Sequence, residues 1–257
     1  MTTGLSYDGS IAGTTSYIGQ IATMAVVDET DPAFLAILPQ AITYAENRIY
    51  RDLDFLFTSA SNSNYTISAN TRTLAVPSGA NFAPGDPFGG GVIVVTEQLN
   101  VLTPARNSNP ESSTRVPLLP TTKEFLDAVY GASGSIGVPK YFAPFNDNLF
   151  YVGPFADQTY YVEIVATFRP ASLSAAQKTT FVSLYLPDLF IMASMIYVAA
   201  YQRNFSSASG NDPQMPVTYE TQYQTLLKSA SVEEARKKFE AAGWSSQAPA
   251  AVASPSR

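Results

Sequence analysis

The sequence predicts an α+β protein: an antiparallel helical bundle formed by the N- and C-terminal helices, an inserted small antiparallel β domain, and a disordered C-terminal tail. Three observations lead there. The long stretches of helical periodicity lie at the two ends of the chain. The middle is rich in Val, Ile, Thr and Tyr, with period-two alternation broken by Gly and Pro. The last residues are Ala, Ser, Pro and Gln with almost no apolar anchor. The matching boundaries are 1–60 for an N-terminal arm and bundle helices, 61–170 for the β-rich insert, 171–243 for the C-terminal bundle helices, and 244–257 for a flexible tail.

Residues 1–15 are polar and rich in Gly, Thr and Ser, which suits an extended arm, and Ser16 to Val27 suits a short helix. Asp31-Pro32 is a strong helix start, with Asp as N-cap and Pro in the first turn. Ile42, Ala45, Ile49 and Leu53 then recur at spacings of three and four and carry the helix to about Leu53. Pro39 falls inside this pattern and predicts a kink or a broken first turn.

The middle reads as strands at Tyr65–Ser68, Thr73–Val76, Val92–Leu102, Tyr141–Pro144, Asn148–Val152 and Tyr160–Phe168. The segment 77–91 holds five Gly and three Pro and reads as a loop, as does the polar segment 103–115. Thr121-x-x-Glu124 reads as a capping box that opens a short helix to Tyr130, closed by Gly131. Ser174-x-x-Gln177 reads as another, before a helix from Phe181 to about Asn204 with Pro187 near its start. Apolar residues on most sides of that helix predict burial on most sides. Tyr219 to Ala230 forms the next helix, and Ser231-x-x-Glu234 either caps a separate last helix or lies within a continuous one. Gly243 is the expected stop.

The bulk composition narrows the function. Only 14% of residues are charged, so the surface is covered largely by small polar residues and Tyr, which suits permanent contact because few ions are desolvated. The net charge of −6 argues against gripping nucleic acid along its backbone, and the one dense basic cluster, Arg236-Lys237-Lys238, follows Glu233 and Glu234. With no Cys and no His, thiolate nucleophiles, imidazole bases and most zinc sites are excluded. No signal peptide is visible at Met1-Thr2-Thr3-Gly4, and the most apolar run, Leu189 to Tyr201, is too short to span a bilayer.

No constellation for chemistry stands out. Gly131, Gly134 and Gly137 lack phosphate-loop spacing. Asp147 and Asp157 sit in turn contexts, where Asp bonds to nearby backbone, and Asp52 and Asp54 close the long helix. No Ser-x-x-Lys exists. Glu46, Arg48, Arg51 and Asp52 form a charge cluster read as a solvated or inter-subunit face. Tyr197 and Tyr201 read as core, whereas Tyr219 and Tyr223 are candidate interface anchors, because Tyr buries a large area at low entropic cost. Trp244, the single Trp, either folds back on its own helix or docks on a partner. No catalytic, cofactor-binding or metal-binding residue is assigned.

Several segments in order carry a resemblance. They are Ala45-Glu46-Asn47-Arg48-Ile49-Tyr50-Arg51-Asp52-Leu53, Thr73-Leu74-Ala75-Val76-Pro77-Ser78-Gly79, and Gly137-Val138-Pro139-Lys140-Tyr141-Phe142 leading to Leu149-Phe150-Tyr151-Val152-Gly153-Pro154. Then come Tyr161-Val162-Glu163-Ile164, Arg169-Pro170, Tyr185-Leu186-Pro187-Asp188-Leu189, and the Tyr219–Tyr223 helix running into Glu234-Ala235-Arg236-Lys237. Over about residues 31–240 this series resembles the head-to-tail adaptor proteins of tailed bacteriophages. The resemblance implies a structural virion protein of the neck, assembled in the bacterial host cytoplasm, that forms a ring of twelve copies. Its partners would be further copies, the portal protein and a tail tube or nozzle protein, with DNA passing through the channel without specific binding and no membrane contact. The candidate portal or subunit interface residues are then Tyr219, Tyr223, Phe239 and Trp244. Two other readings remain: a carbohydrate- or receptor-binding tail module, and an enzyme relying on carboxylates alone.

Overall fold

The computed structural model describes residues 4–76, 86–104, 112–205 and 215–241. In chain order the first elements are strands β1 (Leu5–Ser6) and β2 (Thr15–Ser16), then helices α1 (Tyr17–Ala25) and α2 (Pro32–Asp52). Strands β3 (Ser59–Ile67), β4 (Thr73–Ala75), β5 (Val92–Thr103), β6 (Thr114–Pro117) and β7 (Leu119–Pro120) follow, with helix α3 (Lys123–Tyr130) after them. Strands β8 (Ile136–Gly137), β9 (Tyr141–Asn146), β10 (Leu149–Gly153), β11 (Phe155–Ala156) and β12 (Tyr160–Arg169) complete the middle. Helices α4 (Phe181–Tyr185), α5 (Pro187–Phe205) and α6 (Met215–Ala241) close the chain.

This corrects the expected fold class. Among the described residues there are six helices and four sheets, so the chain is β-rich and is not a helical bundle of terminal helices carrying a small antiparallel insert. Two of the pairings in the middle, β7 with β9 and β8 with β11, are parallel. Five strands have only two residues, too few to show a period of two, and β3 begins Ser-Ala-Ser-Asn-Ser-Asn with no apolar alternation. The expected extended arm is also built into the fold: β1 pairs with β2, and Leu5 and Ser6 are buried. The expected disordered tail lies outside the described residues.

The chain divides into two compact units, Met1–Leu56 with Leu173–Arg257, and Phe57–Ser172. In the first unit α5 packs against α1, α2, α4 and α6. Leu189, Phe190, Ala193, Met195 and Val198 are buried on it, so its apolar character on most sides reflects neighbours on most sides. The Tyr17 ring of α1 stacks on Phe190 at 4.8 Å, and its hydroxyl donates to Ser194 Oγ at 2.7 Å. Ser194 donates in turn to the Phe190 carbonyl at 2.8 Å. From α2, Leu38, Ala41, Ile42, Ala45 and Ile49 are buried, and the helix runs unbroken through Pro39.

Caps fix the helix ends, with three departures from the sequence reading. Asp31 accepts from the Ala33 amide as foreseen. The α3 cap is Thr122, which accepts from the Phe125 amide, rather than Thr121. Ser174 and Gln177 bond to one another in a turn, and the capping box belongs to Thr180 and Ser183 at the start of α4. The expected helix 181–204 is two helices. Proline disfavours helical backbone in the residue before it, and Leu186 before Pro187 stands at φ −130°, ψ 49°. α6 is continuous through Ser231, whose hydroxyl donates back to the Lys228 carbonyl.

In the second unit the strand orders are β3-β12-β5-β6 and β4-β10-β9-β7. Ile67, Leu74, Phe88, Leu99, Val101, Phe150, Val162 and Ile164 meet in one buried cluster drawn from both sheets. β6 pairs only with Asn100–Thr103 of β5, so among the described residues the first half of β5 has a sheet partner on the β12 side alone.

Ser194→Ala leaves the buried Tyr17 hydroxyl without its acceptor. It should lower the stability of the first unit by about 1–3 kcal/mol, read from thermal unfolding by circular dichroism. An unchanged melting curve would contradict the role assigned to that pair.

Candidate functional site

The candidate site is a surface, and α6 carries it. Its apolar residues are spread around the helix rather than gathered on one stripe. Polar clamps to the end of α2 hold it instead. Arg48 of α2 forks onto Glu220, at 2.6 and 2.7 Å, and lies over the Tyr223 ring at 4.4 Å. Tyr223 donates its hydroxyl to Asp52 Oδ2 at 2.7 Å. The Arg48 hydrogen bonds hold the Glu220 carboxyl below the usual glutamate range. Burial, then the Asp52 contact, pushes the Tyr223 phenol well above its ordinary value.

A second clamp lies three to four turns on. Glu234 is buried and accepts from the Leu56 amide at 3.3 Å and from Lys237 Nζ at 2.7 Å. Lys237 sits 5.5 Å over the Phe181 ring, and Lys238 pairs with Asp54. Glu46, expected on a solvated or inter-subunit face, is buried and accepts from the Leu173 amide at 3.1 Å. Arg48 and Asp52 are likewise committed within the chain, and Arg51 is exposed with no ion pair among the described residues. The helix-surface reading failed there because the partners lie about half a chain or more away in sequence.

The four sequence-predicted interface residues separate. Tyr223 is fully buried in its own chain and is a clamp, not an exposed anchor. Tyr219 is half-buried. Phe239 is 69% exposed. Trp244 lies outside the described residues. Sequence reasoning passed over Val232, which is 52% exposed, and Arg236, also exposed, although their spacing of four, with Phe239 three further on, places all three on one face of α6.

Beside that face runs a groove between α5 and α6. Two adjoining cavities of about 370 and 290 Å³ share Asp188 and Leu226. Met192 lines one and Tyr185 and Leu189 the other, and Tyr185 is 68% exposed. The groove exists because Pro187 separates α4 from α5 and leaves Tyr185 at a free helix end. In the second unit, Val92, Val94 and Val95 of β5 and Phe145 of β9 are also exposed, beside a cleft of about 320 Å³.

The remaining polar groups point to packing. Glu163 on β12, buried, accepts from Asn100 at 2.9 Å and from Arg115 at 3.0 Å. Asp157 accepts from the Tyr160 hydroxyl, a turn role. Among the described residues no group of three or more Asp and Glu is placed to hold a metal ion, and no helix is long and apolar enough to cross a membrane.

Because the Glu220 carboxyl is depressed in the folded chain, its contribution is present above the ordinary value of 4.5 and is lost as pH falls through the lower folded value. Glu220→Gln should therefore flatten the acid side of the stability–pH curve below about 4.5, measured by urea unfolding at a series of pH values. A slope equal to that of the wild type would show that the clamp contributes nothing.

Comparison with known proteins agrees with a role through surfaces. A search of curated proteins finds no match. A family model described as SU10 adaptor protein matches residues 16–252, nearly the whole chain. The chain therefore belongs to the SU10 adaptor protein family, a family of phage head-to-tail adaptors.

Proposed function

We propose that this chain is a structural virion protein that forms a ring of twelve copies in the neck of a tailed phage, joining the portal to the tail tube or nozzle and continuing the DNA channel. The observation that carries this reading is the family match over residues 16–252. The composition supports it. A chain with 14% charged residues can hold large permanent contacts at little desolvation cost. A net charge of −6 repels the DNA backbone, which suits a channel through which DNA slides.

Within this reading the chain beyond Phe239, with Trp244, docks on the portal. Tyr219, Phe239 and the outer face of α6 serve contacts in the neck. Tyr223 is left to its clamp. Assembly takes place in the bacterial cytoplasm and the finished protein resides in the virion. No observation favours the carbohydrate-binding reading over this one.

Purified chain mixed with portal rings should appear by electron microscopy as a cyclic density on the tail side of the portal. A bare portal after mixing would sink the adaptor reading. Truncation after Phe239 should leave the far-UV circular dichroism intact and reduce portal attachment by at least tenfold (about 1.4 kcal/mol). Full attachment by the truncated chain would remove the terminal segment from the portal contact.

A further inference from the structure

We infer that neighbouring copies of this chain join by a ridge-into-groove contact, in which Val232, Arg236 and Phe239 of one copy seat in the α5–α6 groove of the next. The inference rests on the ring reading above and says which surfaces close the ring.

The ridge is unpartnered and amphipathic in an unusual sense. Val232 and Phe239 are 52% and 69% exposed, and Arg236 lies between them with no ion-pair partner among the described residues. Lys228, also exposed, precedes Val232 by one turn and likewise has no ion pair there. The outer face of α6 thus presents two apolar side chains alternating with two cations. Two apolar side chains left this open on one face of a clamped helix give a neighbour apolar surface to cover.

The groove offers the complement. Tyr185, Leu189, Met192 and Leu226 give it an apolar lining, and Asp188 and Glu233 give it two carboxylates. Glu233 is met by Lys237 at 2.8 Å. Asp188 accepts only from the adjacent Leu189 amide, at 2.9 Å, and has no cation beside it among the described residues. An apolar lining edged by an open carboxylate selects an apolar ridge that carries a cation. Charge decides among the pairings open to two copies. Ridge against ridge sets Arg236 and Lys228 against like charges, and groove against groove does the same for Asp188; only ridge against groove matches both.

The geometry also says what kind of assembly results. The inward face of α6 is taken by Tyr223, Ala230 and Glu234. At about 100° per residue, Leu226 and Glu233 of the groove lie roughly 100° around the helix from the middle of the ridge, and Thr221 and Thr225 line the groove's other end two to three turns before Val232. Ridge and groove are different surfaces of one chain, so each copy can offer its ridge to one neighbour and its groove to another, and the ring reading takes this head-to-tail arrangement over a reciprocal pair. In a head-to-tail series each copy uses both surfaces, and closure of that series gives the proposed ring.

The native chain has no cysteine, which allows a direct test. Phe239→Cys with Met192→Cys places one thiol on the ridge and one in the groove, and Val232→Cys with Tyr185→Cys is a second pair at positions more than half exposed. Full-length double variants are mixed with portal rings, oxidised mildly and run on a denaturing gel without reductant. Either pair should give a ladder of covalent multimers, each single variant should give none, and Asp188→Arg added to the double variant should abolish the ladder. Dimers from Phe239→Cys alone, or no multimers from either double variant on rings that do assemble, would overturn the inference. A ladder from chains that fail to attach to the portal would instead overturn the adaptor reading and leave the contact standing.

Discussion

The Arg48 fork onto Glu220, with Tyr223 beneath it and Asp52 at its hydroxyl, is the contact on which the assembly surface depends. A helix with a clean apolar stripe finds its rotation by burying that stripe. α6 has no such stripe, so burial alone would not decide which of its faces looks outward. An exposed ion pair would not decide it either, being worth about 0.2–1 kcal/mol. Here the pair is bidentate, lies against a buried aromatic ring and is joined further down the helix by Glu234, which accepts from the Leu56 amide, and by Lys238, which pairs with Asp54. Together these contacts set the rotation of α6 and leave Val232, Arg236 and Phe239 in solvent.

The groove has an equally local origin. Proline at 187 ends α4 and begins α5, and the break leaves Tyr185 exposed while Leu189, in the first turn of α5, is buried. A continuous helix through this region, as periodicity alone suggests, would carry Tyr185 along the same cylinder as Leu189 and close the recess. The same proline puts Asp188 in the first turn of α5, where a carboxylate is favoured by the helix dipole and needs no other partner. Its charge remains available to a neighbour. One chain break thus supplies both the shape and the sign of the groove.

How much of this was readable from the residues depends on range. Asp31-Pro32 marks the start of α2 because a cap and its proline act within three residues. β12 and the buried half of β5 are legible because Val162, Ile164, Leu99 and Val101 alternate over enough length. β1, β2, β7, β8 and β11 are not, since a two-residue strand is defined by its partner and has no pattern of its own. That gap is why the sequence shows fewer strands than the fold contains. At the site, Tyr219 and Tyr223 look alike in sequence, yet only Tyr223 turns inward, because Arg48 and Asp52 lie more than 170 positions away and leave no local trace. Phe239, singled out by its place near the end of the last helix, is exposed. Val232 and Arg236 share its face at helical spacing and could have been found by the same periodicity.

The claim at the centre of this account is that α6 gives one face to its own chain and keeps the other for a neighbour. Hydroxyl-radical footprinting of the free chain and of portal-bound assemblies tests it most directly. The account predicts that Phe239 and Tyr185 label readily in the free chain and become protected together on assembly, while buried Tyr223 stays unlabelled in both states. Equal labelling of Phe239 and Tyr185 before and after assembly would contradict it.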